Sequence, residues 1–137
     1  MLSTFRWSAL LFAALFIGLS PTLAREVPRE VAIRVIVGEA ADQDMHGMIC
    51  VGEVLRKRGS IKGFAGYWSD HIKDELESTW KKAAIAWDTS ARTHYTKGAD
   101  HFYDKRRSFV PSWGGDFVKT YEYRNHVFLK EVKRSGR

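Results

Sequence analysis

The chain contains a single cysteine, Cys50, among its 137 residues, so no disulfide bond within the chain can stabilise the fold. A small domain of this kind has to be held together by a packed core. The composition allows one, because 45% of the residues are hydrophobic and five Trp, eight Phe and five Tyr supply large side chains. Cys50 itself lies in the apolar run 48–51 and is expected to be a small buried hydrophobe rather than a nucleophile.

The first 24 residues have the pattern of a secretory signal peptide: a weakly positive start, an apolar run over 7–19, a Ser-Pro break and a small-residue site ending at Ala24. This run is shorter than the roughly 20 residues that a membrane-spanning helix needs. We therefore expect cleavage after Ala24, export to the periplasm or beyond the cell, and no stable membrane insertion afterwards. An uncleaved anchor is the alternative, because Thr22 stands three residues before the cut.

Residues 25–137 contain no repeat, low-complexity run or linker, which predicts one domain. The formal net charge of the whole chain is +6 at pH 7, and a basic exported protein favours anionic partners such as cell-wall carboxylates. The basic runs 56–58 and 105–107 are expected to hold the protein on such a surface, unless they are simply solvated faces.

Apolar residues at helical spacing predict three helices. The first has Pro28 in its first turn and ends at 38–40, and the second is capped by Asp44 and closed by Gly59. The third and longest is predicted from residue 69 or 70 to about residue 90. One face of this third helix is expected to carry Ile72, Leu76, Trp80, Ala83, Ala84 and Trp87.

The remainder of the chain contains less regular structure. Residues 93–115 show no period and are predicted to be an ordered loop with at most short helical or extended pieces. Ring-bearing residues occupy every second position on both sides of Arg124-Asn125, which predicts a β-hairpin near the C-terminus. His126 and Phe128 are expected to pack against the rest of the domain. The expected fold class is α+β, with more helix than strand.

Glu39 is the candidate catalytic residue because it is an acid at the end of an otherwise apolar helix and is followed by two alanines. Burial would raise its pKa. A carboxylic acid that stays partly protonated near neutral pH can donate a proton to a leaving glycosidic oxygen. The alternative is an ordinary solvated acid at a helix end, and spacing alone does not decide between the two.

Five short motifs, in order and at matching spacing, resemble those of the SleB cell-wall hydrolase family over roughly residues 31–130. They are Gly38-Glu39-Ala40; Gly47-Met48 with Val51-Gly52-Glu53-Val54-Leu55-Arg56-Lys57-Arg58; Gly98-Ala99-Asp100-His101-Phe102-Tyr103; Pro111-Ser112-Trp113; and Asn125-His126-Val127-Phe128. The chain departs from the family at Asp100, where relatives commonly have Thr, and at Lys57, where they usually have Asn.

The resemblance implies a lysozyme-like fold and a lytic transglycosylase that acts on peptidoglycan glycan strands without a cofactor. It places the family's catalytic acid on Glu39, which would protonate the leaving oxygen and then take the proton of the sugar's own C6 hydroxyl. The product would be an anhydro sugar, and no second carboxylate would be required. The same resemblance places His101, Phe102 and Tyr103 on the wall of the cleft as substrate-binding residues, with packing that holds the loop as the open alternative for His101 and Phe102. Ser112 and Trp113 are also predicted to bind the substrate.

Other acids and aromatic residues are assigned from their positions. Glu53 is expected to support the structure rather than to act as a second catalytic acid, and Asp42 and Asp44 to serve a turn and a cap. Asp100 would hold the imidazole of His101 in one tautomer or alter a substrate contact. Among the aromatic residues, Trp80 and Trp87 are assigned to the core, Trp113 to sugar stacking, and Tyr67 and Trp68 to neither.

Several alternative functions remain open at this point. A hydrolytic muramidase and a non-catalytic cell-wall-binding or assembly factor both fit the same fold, and a secreted nuclease is a remote alternative. No metal site is expected, because the five histidines do not match a zinc signature. We expect a monomer that binds peptidoglycan and not nucleic acid, with recruitment by an envelope machine or a phage lysis system as an open question.

Overall fold

The structure is a computed structural model that describes residues 26–107 and 112–133. The predicted signal peptide, 1–24, lies outside these residues. The elements are α1 (Arg29–Ala40), α2 (Met45–Arg58), short 3-10 helices at Ala65–Trp68 and Asp70–Asp74, α3 (Glu77–Ser90), β1 (His101–Asp104), β2 (Phe117–Tyr123) and β3 (His126–Glu131). The predicted α+β class, with more helix than strand, is confirmed. Across the described ranges, no helix is long and apolar enough to cross a membrane.

The first two helices begin and end where their sequence signals predict. The Asp44 side chain accepts a hydrogen bond from the backbone N–H of Gly47 at 3.0 Å, which satisfies a free donor at the start of α2. Gly59 closes α2 in the left-handed region, at φ 63°, and its N–H donates to the carbonyl of Leu55. The Asp44 cap lies in the turn between α1 and α2, next to the end of α1 that carries Glu39.

The predicted start of the third helix is wrong. Residues 70–74 form a 3-10 helix, the chain is extended at Leu76, and α3 begins only at Glu77. Leu76 is 70% exposed and so does not share the buried face on which it was placed. The chain breaks here because the 3-10 segment packs beside α1, where His71 Nε2 lies 3.2 Å from the carbonyl oxygen of Gly38. At 14 residues each, α2 and α3 are equally long.

A three-stranded antiparallel sheet, in the order β1-β3-β2, follows the helices. The predicted hairpin is confirmed: β2 and β3 are joined at Arg124-Asn125, and Tyr123 pairs with His126. The region predicted as loop also contributes a short strand, β1, which pairs with the other edge of β3 so that Phe102 lies opposite Phe128. This pairing places the motif at 101–103 on a rigid sheet rather than on a loop.

The core lies between α1, α2 and α3 and extends to the sheet through Phe128, which is fully buried. Cys50 is also fully buried, and burial raises the pKa of its thiol to about 12, which confirms the prediction of an inert small hydrophobe. Trp87 is buried and Trp80 packs against the core from its edge, as the helical spacing predicted.

Candidate active site

A cleft of about 640 Å³ separates the end of α1 from the sheet. Glu39 lies on one wall, beside the loop that carries Gly66 and Trp68. The opposite wall is formed from β1 and the segment that precedes β2. The sheet-side residues that border the cleft are His101, Phe102, Tyr103, Asp104, Trp113 and His126.

The carboxyl group of Glu39 is half-buried, and its Oε1 accepts a hydrogen bond of 2.7 Å from the backbone N–H of Gly66. Burial raises the pKa of Glu39 above its usual value of 4.5, and this effect outweighs the opposing effects of the Gly66 hydrogen bond and of the nearby cations Arg107 and Arg58. The raised pKa is the direction that the apolar helix end predicted.

Two glycines allow the backbone contact on which this hydrogen bond depends. A Cβ atom on Gly38 would lie 2.0 Å from the carbonyl oxygen of Gly66, and a Cβ atom on Gly66 would lie 2.5 Å from the carbonyl carbon of Gly38. Only residues without a side chain permit this approach. The close crossing brings the Gly66 N–H to Glu39. Sequence reasoning placed Gly38 in a motif, but Gly66 was only one of several glycines in a loop.

On the sheet side, the imidazole of His101 is held by Asp100. The His101 Nδ1 lies 2.8 Å from Asp100 Oδ1, which also accepts the backbone N–H of Glu131 at 3.0 Å. Although burial opposes it, the hydrogen bonds from His101 and Glu131 lower the pKa of Asp100 and keep it ionised. This is the geometry expected if Asp100 fixes one tautomer of His101, with the proton on Nδ1 and Nε2 left as an acceptor.

An aromatic cluster forms around His101. Its ring centroid lies 4.9 Å from that of Trp113 and 4.7 Å from that of Phe117. Trp113 is 38% exposed and borders the cleft, whereas Ser112 is exposed and does not. Phe102 and Tyr103 also border the cleft.

The two aromatic residues left unassigned, Tyr67 and Trp68, have different environments. Tyr67 packs against the core, and its carbonyl accepts a hydrogen bond from Arg34 Nε at 2.9 Å. Trp68 borders the cleft and is 74% exposed, so its indole is available to a bound ligand.

Glu53 has a structural position. Its buried carboxylate accepts hydrogen bonds from the backbone N–H groups of Tyr95, at 2.9 Å, and of Thr96, at 2.8 Å, and another from the Thr96 hydroxyl. These contacts fix the segment that leads into β1. Glu53 does not border the cleft.

The other two acids of the α1–α2 turn also have local partners. Asp44 caps α2 and accepts the Tyr123 hydroxyl at 2.6 Å, and Asp42 pairs with Arg106 at 2.7 Å. These positions match the turn and cap roles predicted for them.

Sequence reasoning assigned His126 to packing, and it is 2% exposed, but it also borders the cleft. Its Nδ1 has no hydrogen-bond partner among the described residues. Burial lowers the pKa of His126, so its imidazole is neutral at neutral pH. Within the described ranges, no group of three or more His, Cys, Asp or Glu side chains is arranged to hold a metal ion.

No protein-family model matches the chain, and no curated protein matches it by sequence. Among solved structures, the chain is similar to the catalytic domain of the Bacillus cereus SleB protein, with a TM-score of 0.50 and 14% sequence identity. The match covers 74% of this chain and 88% of that one. At this identity the likeness shows the fold, and it confirms the SleB-like fold that the motifs implied.

Proposed function

We propose that the protein is an exported, SleB-like enzyme that cleaves the glycan strands of peptidoglycan, with Glu39 as its general acid. The observation that carries the proposal is the position of Glu39, a half-buried carboxyl group with a raised pKa in the wall of a large cleft. Such a group keeps its proton to a higher pH than a solvated carboxyl and can transfer it to a glycosidic oxygen. The likeness in fold to the SleB catalytic domain supports the same function.

The acids around the cleft favour a lytic transglycosylase over a hydrolytic muramidase. Among the described residues, Asp104 is the other carboxyl group that borders the cleft, and hydrogen bonds from Arg106 lower its pKa and hold it in an ion pair. Glu53 is occupied by backbone groups of the 93–100 segment. With one carboxyl group poised for proton transfer, the nucleophile is best supplied by the substrate itself.

In this mechanism Glu39 donates its proton to the leaving oxygen as the bond to C1 of N-acetylmuramic acid breaks. The resulting carboxylate then accepts the proton of the C6 hydroxyl while the C6 oxygen bonds to C1. Glu39 thus regains its proton, and the product is an anhydro sugar. The Gly66 N–H stabilises the transient carboxylate, because a hydrogen bond to an ionised acceptor is stronger than one to a neutral acceptor.

The aromatic residues of the cleft support a sugar substrate. Pyranose rings present C–H groups that pack against aromatic faces. Trp113 and Trp68 border the cleft from opposite walls, and both are exposed. The position of the Trp113 ring is stabilised by its contact with the ring of His101, which Asp100 holds in place.

Product analysis tests the proposal. We expect the purified protein to release anhydro-muropeptides from peptidoglycan sacculi, detected by mass spectrometry, with equal yield in the presence of EDTA. Products with reducing ends would instead identify a hydrolytic muramidase. Absence of any release would contradict the proposal and favour a non-catalytic wall-binding role.

The pH dependence of cleavage should report the protonation of Glu39. Because Glu39 must be protonated to act, kcat/KM is expected to fall as the pH rises through its raised pKa, so the alkaline limb of the profile should lie above pH 4.5. Arg107→Gln removes a positive charge that lowers this pKa and should shift the limb to higher pH. Lys57→Gln, at an exposed position outside the cleft, is the control and should leave the limb in place. A limb that moves to lower pH in Arg107→Gln would be inconsistent with Glu39 as the acid.

A further inference from the structure

The two basic runs of the chain divide into residues with acidic partners and residues that face the cleft. Arg56, Lys105 and Arg106 pair with Glu26, Glu122 and Asp104, respectively. Arg58 and Arg107 instead border the cleft, as does Lys62. None of these three cations forms an ion pair within the part of the chain that the structure describes.

Arg58 is held in place without being neutralised. Its guanidinium lies 4.8 Å from the ring centroid of Phe64, and its Nη2 donates to the carbonyl of Lys62. A guanidinium has five N–H donors, and hydrogen bonds to the described residues engage one nitrogen of Arg58. The charges of Asp100 and Glu39 act on Arg58, but neither acid forms an ion pair with it among the described residues. A half-buried cation with free donors and no ion-pair partner is suited to binding an anion.

These cations lie close to the candidate catalytic acid. The charges of Arg58 and Arg107 both act on Glu39, but neither forms an ion pair with it. Burial raises the pKa of Glu39, so this carboxyl group carries its negative charge less readily than a solvated one. Of the residues that the structure describes, three cations and two acids border the cleft, and one of these acids, Asp104, is already paired with Arg106. The cleft therefore carries an excess of positive charge beside the position at which a glycosidic bond would be cut.

We propose that Arg58, Lys62 and Arg107 form a carboxylate-binding subsite, so that the preferred substrate is a glycan strand with free carboxylates next to the bond that is cut. This inference rests on the proposed function. Peptidoglycan offers two sources of the group: the lactyl carboxylate of N-acetylmuramic acid, where the stem peptide has been removed, and the carboxylates of the stem peptide. A planar guanidinium matches a carboxylate with paired hydrogen bonds.

The test compares soluble glycan strands that differ only in charge. One sample keeps its carboxylates, and in the other they are converted to amides with carbodiimide and ammonia. We expect the wild-type protein to cleave the acidic strands with a kcat/KM about tenfold above that of the amidated strands. Strands stripped of stem peptides, with and without amidation, identify the source: a retained preference assigns the lactyl carboxylate, and a lost preference assigns the stem peptide.

Variants separate the subsite from general charge effects. Arg107→Gln should reduce the preference to about threefold or less, since one of the three cations is lost. Any change in the pKa of Glu39 affects both substrates and cancels in the ratio. Lys57→Gln removes the same charge outside the cleft and should keep the wild-type preference.

The outcomes distinguish the two proposals. Equal cleavage of acidic and amidated strands by the wild type would overturn the subsite and leave the proposed function intact. Cleavage of neither would overturn the proposed function, and the subsite would then be judged by the affinity of the wild type for the same two samples. Equal affinity would overturn it as well.

Discussion

Replacing Glu39 with glutamine is expected to reduce the release of glycan fragments about a thousandfold. The amide cannot donate a proton to the leaving oxygen or accept one from the C6 hydroxyl. Its carbonyl oxygen can still accept the Gly66 N–H, so the crossing of α1 with the 65–68 segment should be retained. The measurement is the rate of product release from sacculi, beside thermal unfolding of the same variant.

The Glu39→Gln variant should lose activity without losing thermal stability. A carboxyl group whose pKa is raised in the folded state destabilises that state progressively as the pH rises from its usual value of 4.5 through the raised value. A neutral amide avoids this cost, so the Tm at pH 7 should equal or exceed that of the wild type. Glu30→Gln, at an exposed position in the first turn of α1, is the matched control and should keep wild-type activity. A folded Glu39→Gln variant with unreduced activity would exclude Glu39 as the acid.

The second large effect is expected on stability. Glu53→Ala leaves the buried backbone N–H of Thr96 and the partly buried N–H of Tyr95 without their acceptor. Each unsatisfied buried donor costs about 1–3 kcal/mol, and the shortened side chain adds a cavity. The free energy of unfolding should fall by about 4 kcal/mol, measured by urea denaturation.

Glu53→Gln separates the structural role of this residue from a catalytic one. The amide oxygen, in the place of Oε2, can accept the two hydrogen bonds from Thr96, so we expect a smaller loss of stability than with alanine. Activity per folded molecule should stay within about threefold of the wild type, because Glu53 does not border the cleft. A folded Glu53→Gln protein without activity would instead support Glu53 as a second acid, as a hydrolytic muramidase requires.

Local signals in the sequence were sufficient to predict most of the helical layer. Pro28, Asp44 and Gly59 act through neighbouring backbone groups, so their effects can be read from short windows. The hairpin at Arg124-Asn125 is local in the same sense. The start of α3 was wrong because Ile72 and Leu76 have helical spacing, and the contact of the 3-10 segment with α1 that interrupts the helix lies far away in sequence.

In the candidate site, too, local features could be predicted from the sequence and distant contacts could not. The order of the residues was enough to select Glu39 as the candidate acid and 101–103 as candidate substrate-binding residues. Both selections used the apolar helix that ends at Glu39 and the order of the motifs, which can be recognised without knowing any distant contact. The role of Gly66 was not predictable, because it depends on a backbone approach between segments 27 residues apart. Nor could spacing show that Glu53 holds Tyr95 and Thr96 rather than facing the cleft.

By itself, the sequence determined the first two helices, the caps of α2 and the hairpin, because each depends on interactions within a few residues. It also singled out Glu39 as the candidate acid, through the order of the five motifs. Only the tertiary structure decided which of the charged residues border the cleft. Arg106 and Arg107 are adjacent in the chain, yet one is paired with Asp42 and Asp104 and the other borders the cleft. That difference arises because the fold brings Arg106 beside Asp42 of the α1–α2 turn, whereas Arg107 lies at the cleft. The charge around a residue depends on its neighbours in space rather than in sequence.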